Sequence, residues 1–322
     1  MKTWISIYFY RTLSWAVGLS CLLFLISSWI FPESFMHLLL LSFAIQGSAL
    51  LALAGLYFLK RRNFVLLFVS WATAAVMINP VILEWNQNPA QLGSPTSSDL
   101  RIAHFNVLRV NKDTEEIIEK ALSSDAQVVS IQENDRFWDQ RLKQKMLKAY
   151  PYYLTSPSDD CYGISVYSKI PFESHKMIDV EGKKCVVAEI NWDGYRTNLA
   201  LVHATSPGTP SEFDQRNSHL AKLAEELKSL PHPLIVVGDL NAVPWDPVLL
   251  RWKKDLTLVR SGGFTPTFPV PLFPMMIPLD HVMHSPEIAS VKHEIIPVWS
   301  SDHFGVCASL RIQNASSSTA GL

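Results

Sequence analysis

Three long apolar runs open the chain and restrict what it can fold into. Residues 12–31, 36–59 and 64–83 contain no Asp, Glu, Lys or Arg. As a helix, each is long enough to cross a hydrocarbon core of about 30 Å. In lipid a helix satisfies its own backbone hydrogen bonds, so the runs predict three transmembrane helices within a membrane anchor over residues 1–83. Charge-free runs this long are rare in water-soluble cores, which sets aside three buried helices of a soluble protein. A cleaved leader for the first run is disfavoured, because no small-residue cleavage site follows it and FPES leads almost at once into the second.

The cations orient the anchor. Lys2 and Arg11 stand before or at the start of the first run, and Lys60, Arg61 and Arg62 lie between the second and third. Both groups belong on the cytoplasmic side. Three crossings then place everything after Glu84 outside the cytoplasm. The expectation is an integral inner-membrane protein, held in the bilayer through residues 12–83, with its folded domain facing the periplasm or the outside.

Only five of the 28 basic and one of the 29 acidic residues lie up to Leu83. The remainder carries 23 basic and 28 acidic residues, a net of −5, and reads as an ordinary, mildly acidic globular domain. EWNQNPAQLGSPTSSD, residues 84–99, is rich in Pro, Gly, Ser, Asn and Gln and reads as a linker. The domain is expected over residues 100–313, followed by a small, polar, mobile tail at 314–322. Cys161 and Cys185 admit two readings, a disulfide outside the cytoplasm or two core thiols. No CxxC or Cys/His cluster points to zinc.

Within the domain, strand-like and helical patterns alternate. Strands are expected at 101–107, 127–133, 163–167, 186–191, 196–203, 234–238, 279–284 and 306–312, and helices at 114–122, 139–148 and 212–230. In the last helix Leu220, Leu223, Ala224 and Leu227 form one apolar stripe. Hairpin-like neighbours and helix-separated strands both occur. The mixture predicts an α/β sandwich rather than a purely parallel doubly wound sheet.

One pattern recurs along these strands. RIAHFNV places Asn106 near a strand end, VVSIQE ends in Glu133, LALVH in His203, and LIVVGDLN in Asp239 and Asn241. PLDHVM opens with Asp280, and SSDHFGV supplies Asp302 and His303 just before the final strand. Each apolar strand delivers a carboxylate, amide or imidazole to a rim. Unpaired carboxylates there are costly unless a cation or a common partner serves several of them. Carboxylates with an amide suit a hard, oxygen-preferring cation such as Mg²⁺ (or Mn²⁺), and two histidines beside it suit proton transfer.

With these pieces in this order, residues 100–313 resemble the endonuclease/exonuclease/phosphatase superfamily, the DNase I-like fold. The matching segments are FNV, QEN, HATSP, GDLNAVP, LDHV and SDHFGV. The apolar runs in front make the chain similar to its membrane-anchored bacterial branch. The resemblance implies a four-layer α/β sandwich preceded by three transmembrane helices, with a metal-dependent phosphoesterase site at one rim. It assigns Asn106, Glu133 and Asp302 to the metal. It assigns His203, Asp239, Asn241, Asp280 and His303 to catalysis, with Asp280 orienting the His303 imidazole and either Asp239 or His303 as the base. His104, His219, His281, His284 and His293 have no counterpart and read as core histidines. Trp245 and residues 265–269, Phe268 among them, are candidates for the substrate rim.

The function expected is hydrolysis of a phosphate ester, lipid-derived, small-molecule or nucleic acid, by metal-assisted attack of water; no protein partner is implied. An extracytoplasmic endonuclease or exonuclease on DNA or RNA is the alternative, and a catalytically dead membrane scaffold a third. A net of −5 and the absence of a basic tail weigh against the nuclease, because phosphate contacts dominate nucleic-acid affinity. The full set of polar residues weighs against the scaffold.

Overall fold

The computed structural model describes residues 2–87 and 93–313. The tail at 314–322 and residues 88–92 of the expected linker lie outside the described residues. The chain divides into two compact units, Met1–Asn86 with Trp245–Pro247, and Gln87–Pro244 with Val248–Leu322.

The first unit holds helices α1 (Lys2–Ile30), α2 (Phe35–Ser42), α3 (Ala44–Lys60) and α4 (Phe64–Gln87). The second apolar run is therefore two helices, not one, and they meet at 76°. The break follows Ser42, whose hydroxyl donates to the Leu38 carbonyl at 2.9 Å. The Phe43 N–H then closes a tighter turn onto the Leu40 carbonyl at 3.2 Å. A hydroxyl bonding back one turn is a recognised cause of helix bending. Tyr10–Ile30 and Phe64–Gln87 are long and apolar enough to cross a membrane, and a third span exists only if the bent pair counts as one. Helix α4 continues through Pro80 to Gln87, so the first four residues expected in the linker are helical. The Asn63 amide donates to the Tyr10 hydroxyl at 3.1 Å, and the Arg61 guanidinium lies 4.5 Å over the Tyr10 ring. Both cationic segments thus share one end of the helical unit.

The second unit begins with β1 (Leu100–Asn106), α5 (Glu115–Ser123), β2 (Val128–Gln132), α6 (Arg136–Met146), β3 (Tyr152–Ser156) and β4 (Ile164–Ser168). It continues with β5 (Phe172–Val180), β6 (Lys183–Trp192), β7 (Tyr195–Leu201), α7 (Pro210–Leu227), β8 (Leu234–Asp239) and α8 (Pro247–Asp255). β9 (Val259–Arg260), β10 (Asp280–His284), β11 (Ile288–Ile296) and β12 (Gly305–Ile312) complete it. The strands form two six-stranded sheets, ordered β11-β12-β1-β2-β4-β3 and β5-β6-β7-β8-β10-β9. Each sheet has one parallel pair, β1 with β2 and β7 with β8, linked through α5 and α7; the other pairs are antiparallel. Both neighbour types read from the sequence are therefore present, as crossover connections and hairpins require.

Three separate cores stack the layers. Ala103, Phe105, Val129 and Ile131 of the first sheet pack with Ile117, Trp138 and Leu142 of α5 and α6. Ile102, Val128, Leu199, Leu201, Ile235, Val237 and Val282 fill the space between the sheets. Ala200, Val236 and Met283 of the second sheet pack with Leu220, Leu223 and Trp252 of α7 and α8. Strand residues alternate between cores with period two, as a pleated strand between two covered faces demands. The result is the four-layer α/β sandwich expected. β3, β5, β9, β11 and α8 were not anticipated. β3 and β5 are edge strands, β5 mostly exposed and β3 exposed to half-buried, and neither carries an apolar run.

Candidate active site

The same period-two alternation that builds the inter-sheet core also builds the site. On the face toward the second sheet, β1 presents Ile102, His104 and Asn106, and β2 presents Val128, Ser130 and Gln132. On the opposing face, β8 presents Ile235, Val237 and Asp239, and the chain leaving β7 presents Leu199, Leu201 and His203. Both faces turn from apolar to polar toward the same end. β10 runs antiparallel to β8, and its first residue, Asp280, pairs directly with Asp239. The polar ends of two sheets thus converge on one rim, where they are buried against one another.

At that rim Asn106 joins the sheets. Its side-chain amide donates to Glu133 Oε1 at 3.0 Å and to Asp239 Oδ2 at 3.2 Å. Glu133 follows β2 with a left-handed backbone (φ +63°), a conformation uncommon for a residue with a side chain. Its amide N–H is held by the Gly163 carbonyl at 2.9 Å, and its Oε2 accepts the Arg109 N–H at 3.2 Å. Asp239 Oδ1 accepts the Asn241 N–H at 2.9 Å, closing the turn after β8. His303 Nε2 lies 3.6 Å and His203 Nε2 4.0 Å from Asp239 Oδ2. Asp280, fully buried, receives one imidazole on each oxygen, His104 Nε2 on Oδ1 at 2.9 Å and His303 Nδ1 on Oδ2 at 2.8 Å.

Two supports underlie these groups. Gln132, buried behind them, donates its amide to the Val202 carbonyl at 2.7 Å, and its Oε1 accepts the Asp239 N–H at 2.9 Å. Gly238 permits this. Its φ of +148° belongs to glycine, and a Cβ there would stand 2.0 Å from the Val202 oxygen and 2.4 Å from the Gln132 amide nitrogen. The glycine of GDLN is thus a packing requirement set by the side chain that crosses from the other sheet. The Ser301 hydroxyl donates to the Asn106 carbonyl and accepts the His303 N–H, fixing the segment that carries Asp302 and His303.

Burial and mutual charge set the electrostatics. Burial pushes the Asp239 carboxyl up to about 7, against the pull of His303. Burial also raises Asp302, helped by the negative charge of Glu133. Burial alone would lower His303, but the Asp280 and Asp239 carboxylates outweigh it and raise the ring to about 10. Burial opposes ionisation of Asp280, yet His303 and His104 hold it well below the usual carboxylate range. Burial, then His104 and His303, lowers His203 to about 3, which keeps it neutral. Desolvated carboxylates with raised affinity for protons are sites with raised affinity for positive charge of any kind.

A divalent cation fits this donor set. Asp302 Oδ1 is buried without a hydrogen-bond partner among the described residues, and the negative charge of Glu133 acts on it; carboxylate oxygens of this kind suit a hard cation. Asp239, Asp280 and His303 also offer ligand atoms within 4.8 Å of one another. Both Asp280 oxygens are already taken by imidazoles, however, and the His303 Nδ1 is spent on one of them. Within that trio Asp280 orients the His303 imidazole, and Asp302 Oδ1 is the carboxylate oxygen left without a partner among the described residues.

The structure therefore brings Asn106, Glu133, His203, Asp239, Asp280 and His303 into one network. Asn241 adjoins it through its backbone, while its side-chain amide donates to the Ala204 carbonyl at 3.0 Å. Phe268, expected at the rim, lies with its ring centroid 4.7 Å from that of His303. All four cysteines are free, so Cys161 and Cys185 do not pair. His219, His281, His284 and His293 are apart from the network, as core histidines. His104, expected among the core histidines, instead joins the network through its bond to Asp280. The signal that would have found it is the strand period, since His104 and Asn106, two apart in β1, must share a face.

A family model described as Endonuclease/Exonuclease/phosphatase family matches residues 103–303. A sequence search against curated proteins finds no match. Among solved structures, D. rerio TDP2 complexed with single strand DNA product is similar at 18% identity and a TM-score of 0.54, over 67% of this chain and 100% of that one. Sphingomyelinase C from Streptomyces griseocarneus is similar at 17% identity and a TM-score of 0.50, over 66% and 99%. A mutant beta toxin from Staphylococcus aureus with bound magnesium ions is similar at 16% identity and a TM-score of 0.52, over 66% and 99%. At these identities the likeness is one of fold.

Proposed function

The chain belongs to the Endonuclease/Exonuclease/phosphatase family, and from that premise we propose that it cleaves a phosphodiester at the rim where the two sheets' polar ends meet. Membership makes it a metal-dependent phosphoester hydrolase. The observation that carries the placement is the Asn106 amide, which ties Glu133 of one sheet to Asp239 of the other within 3.2 Å.

In this reading Asn106, Glu133 and Asp302, with Asp239 beside them, hold the cation. Oxygen ligands favour Mg²⁺, with Mn²⁺ as its substitute, and the similar beta toxin structure carries magnesium ions. When bound, the ion supplies positive charge against the phosphoryl oxygens. The chain's own groups do the rest. Asp239 and His303, 3.6 Å apart, form the pair that takes the proton from the attacking water. Asp280 holds His303 Nδ1, so that Nε2 faces Asp239 and the reacting centre. His203, neutral and with its Nδ1 without a partner among the described residues, and Asn241 donate to phosphoryl or leaving-group oxygens. The Phe268 ring walls the His303 side of the cleft.

Residues 12–83 anchor the enzyme in the bilayer, with the catalytic unit outside the cytoplasm. The shared end of the two cationic segments supports that orientation. Tethering and a net of −5 after Leu83 favour a lipid-derived or small phosphodiester. The similar TDP2 structure with its DNA product keeps the nuclease reading in the test. The full chain in detergent is assayed with Mg²⁺, Mn²⁺ or EDTA against bis-p-nitrophenyl phosphate, phospholipid vesicles and plasmid DNA. Metal-dependent headgroup release that vanishes in Glu133→Ala supports the proposal. Nicking of plasmid with no action on lipid transfers it to the nuclease, and no turnover of any substrate rejects it.

A further inference from the structure

We propose that His104 is a positioning residue of this site: it fixes Asp280, and through Asp280 the ring of His303, by occupying the carboxylate oxygen that His303 leaves free. The inference rests on the reading of His303 as a reacting group.

A buried carboxylate has two oxygens to satisfy, and His303 Nδ1 satisfies Oδ2 at 2.8 Å. Without a second donor, Oδ1 would be an acceptor in a place water does not reach, since Asp280 is fully buried. It would be satisfied only by rotating toward another donor, or by binding a proton. Either movement breaks the bond to His303 Nδ1. His104, also fully buried, removes both options by donating Nε2–H to Oδ1 at 2.9 Å.

The chain above His104 is arranged to make that bond the one available. A carboxylate only accepts, so Nε2 must carry the proton. The other nitrogen, Nδ1, lies 3.1 Å from the Ser130 hydroxyl. Ser130 is directly opposite His104 in the parallel β1–β2 register, so both side chains enter the inter-sheet space at the same level. The order Ser130, His104, Asp280, His303 crosses from the first sheet to the second and back to the segment before β12. The Thr267 hydroxyl, accepting the Asp280 N–H at 3.3 Å, holds the backbone of the shared carboxylate. An apolar residue at 104 would match Ile102 below it but leave Asp280 Oδ1 without its donor; a histidine there is explained by the bond to Asp280.

The test uses the full chain in detergent, with His104→Ala, His104→Gln and Ser130→Ala. Steady-state kinetics on bis-p-nitrophenyl phosphate give kcat and KM, and calorimetry gives Mn²⁺ affinity. Ring ¹⁵N spectra of the histidine-labelled, metal-free protein report the protonation and hydrogen bonding of the His303 ring without any turnover. A lost hydrogen bond to a charged group corresponds to roughly 10- to 100-fold in rate. His104→Ala is expected to lower kcat by about that factor, leave KM and Mn²⁺ affinity within about threefold, and shift the His303 ring signals. His104→Gln, whose Nε2 amide reaches the same oxygen, should recover kcat to within about fivefold, and Ser130→Ala should show a partial loss. Unchanged kcat in a folded His104→Ala overturns the proposal, as does equal loss in His104→Ala and His104→Gln with His303 signals unmoved. Should His104→Ala not fold, the rescue by His104→Gln and the loss in Ser130→Ala decide in the same way. Should the wild-type chain hydrolyse nothing, the phosphodiesterase reading fails, while the ring spectra still decide whether His104 orients His303.

Discussion

Replacing Gln132 by methionine tests whether the two sheets are locked at the site by one side chain. Methionine has a similar length and no branching, so it fills the space without bonding anything. In a regular parallel ladder the Asp239 N–H would close onto the Val202 carbonyl, following the Val202 N–H to Val237 carbonyl bond at 2.9 Å. Gln132 interrupts that step, with its amide on the Val202 oxygen at 2.7 Å and its Oε1 on the Asp239 N–H at 2.9 Å. Gln132→Met leaves one donor and one acceptor unpaired in a fully buried place. At about 1–3 kcal/mol each, the loss is about 2–6 kcal/mol. For a domain of this size that corresponds to a fall of at least about 4 °C in Tm, read by tryptophan fluorescence of the detergent-solubilised chain. A backbone shift that closed the ladder would recover stability, but it would draw Asp239 toward Val202 and away from Asn106, and kcat would fall more than tenfold instead. A variant with Tm within about 2 °C of wild type and unchanged kcat refutes the reasoning.

Gly238→Ala forces a Cβ to 2.0 Å from the Val202 oxygen, and is expected to lower Tm more than Gln132→Met and to abolish turnover; a stable, active variant contradicts the packing account. Burial holds His219 at about 4 and His293 at about 3, both depressed below the 6.5 of an unfolded chain. The unfolded state therefore binds protons that the folded state does not, and stability is lost as pH falls from about 6.5 toward 4, by about 2 kcal/mol per histidine at pH 5. Denaturant midpoints at pH 7 and pH 5 should show it, and a His219→Gln, His293→Gln double variant with an undiminished pH dependence would exclude these groups as the cause. Phe268→Ala removes the ring against His303 and should change kcat/KM by about 2- to 10-fold at unaltered Mn²⁺ affinity; a change in metal affinity instead would place Phe268 differently.

What the sequence discloses and what it hides follow from where each residue gets its partners. The rim was readable because apolar strands ending in Asn106, Glu133, His203 and Asp239 leave polar groups with no local explanation, and six segments occur in the order of one family. His104 was hidden because a histidine within a strand looks the same whether it meets a carboxylate or a hydroxyl, and Asp280 lies 176 positions away. Gln132 was hidden for the same reason, since its partners are backbone groups of the other sheet. The bend between α2 and α3 left no trace in an apolar run, where every residue is compatible with one long helix. The edge strands β3 and β5 escaped because exposed strands need no hydrophobic period. The Asp302 oxygen without a partner among the described residues is a property of folded space alone.

The most direct measurement is Mn²⁺ anomalous diffraction from crystals of the full chain grown with the ion. The account predicts a difference peak in the corner formed by Asn106, Glu133, Asp239 and Asp302, lost in Glu133→Ala crystals, with Asp280 still bridging His104 and His303. A peak bound by Asp280 and His303 instead, or no ordered ion at millimolar Mn²⁺, would contradict it.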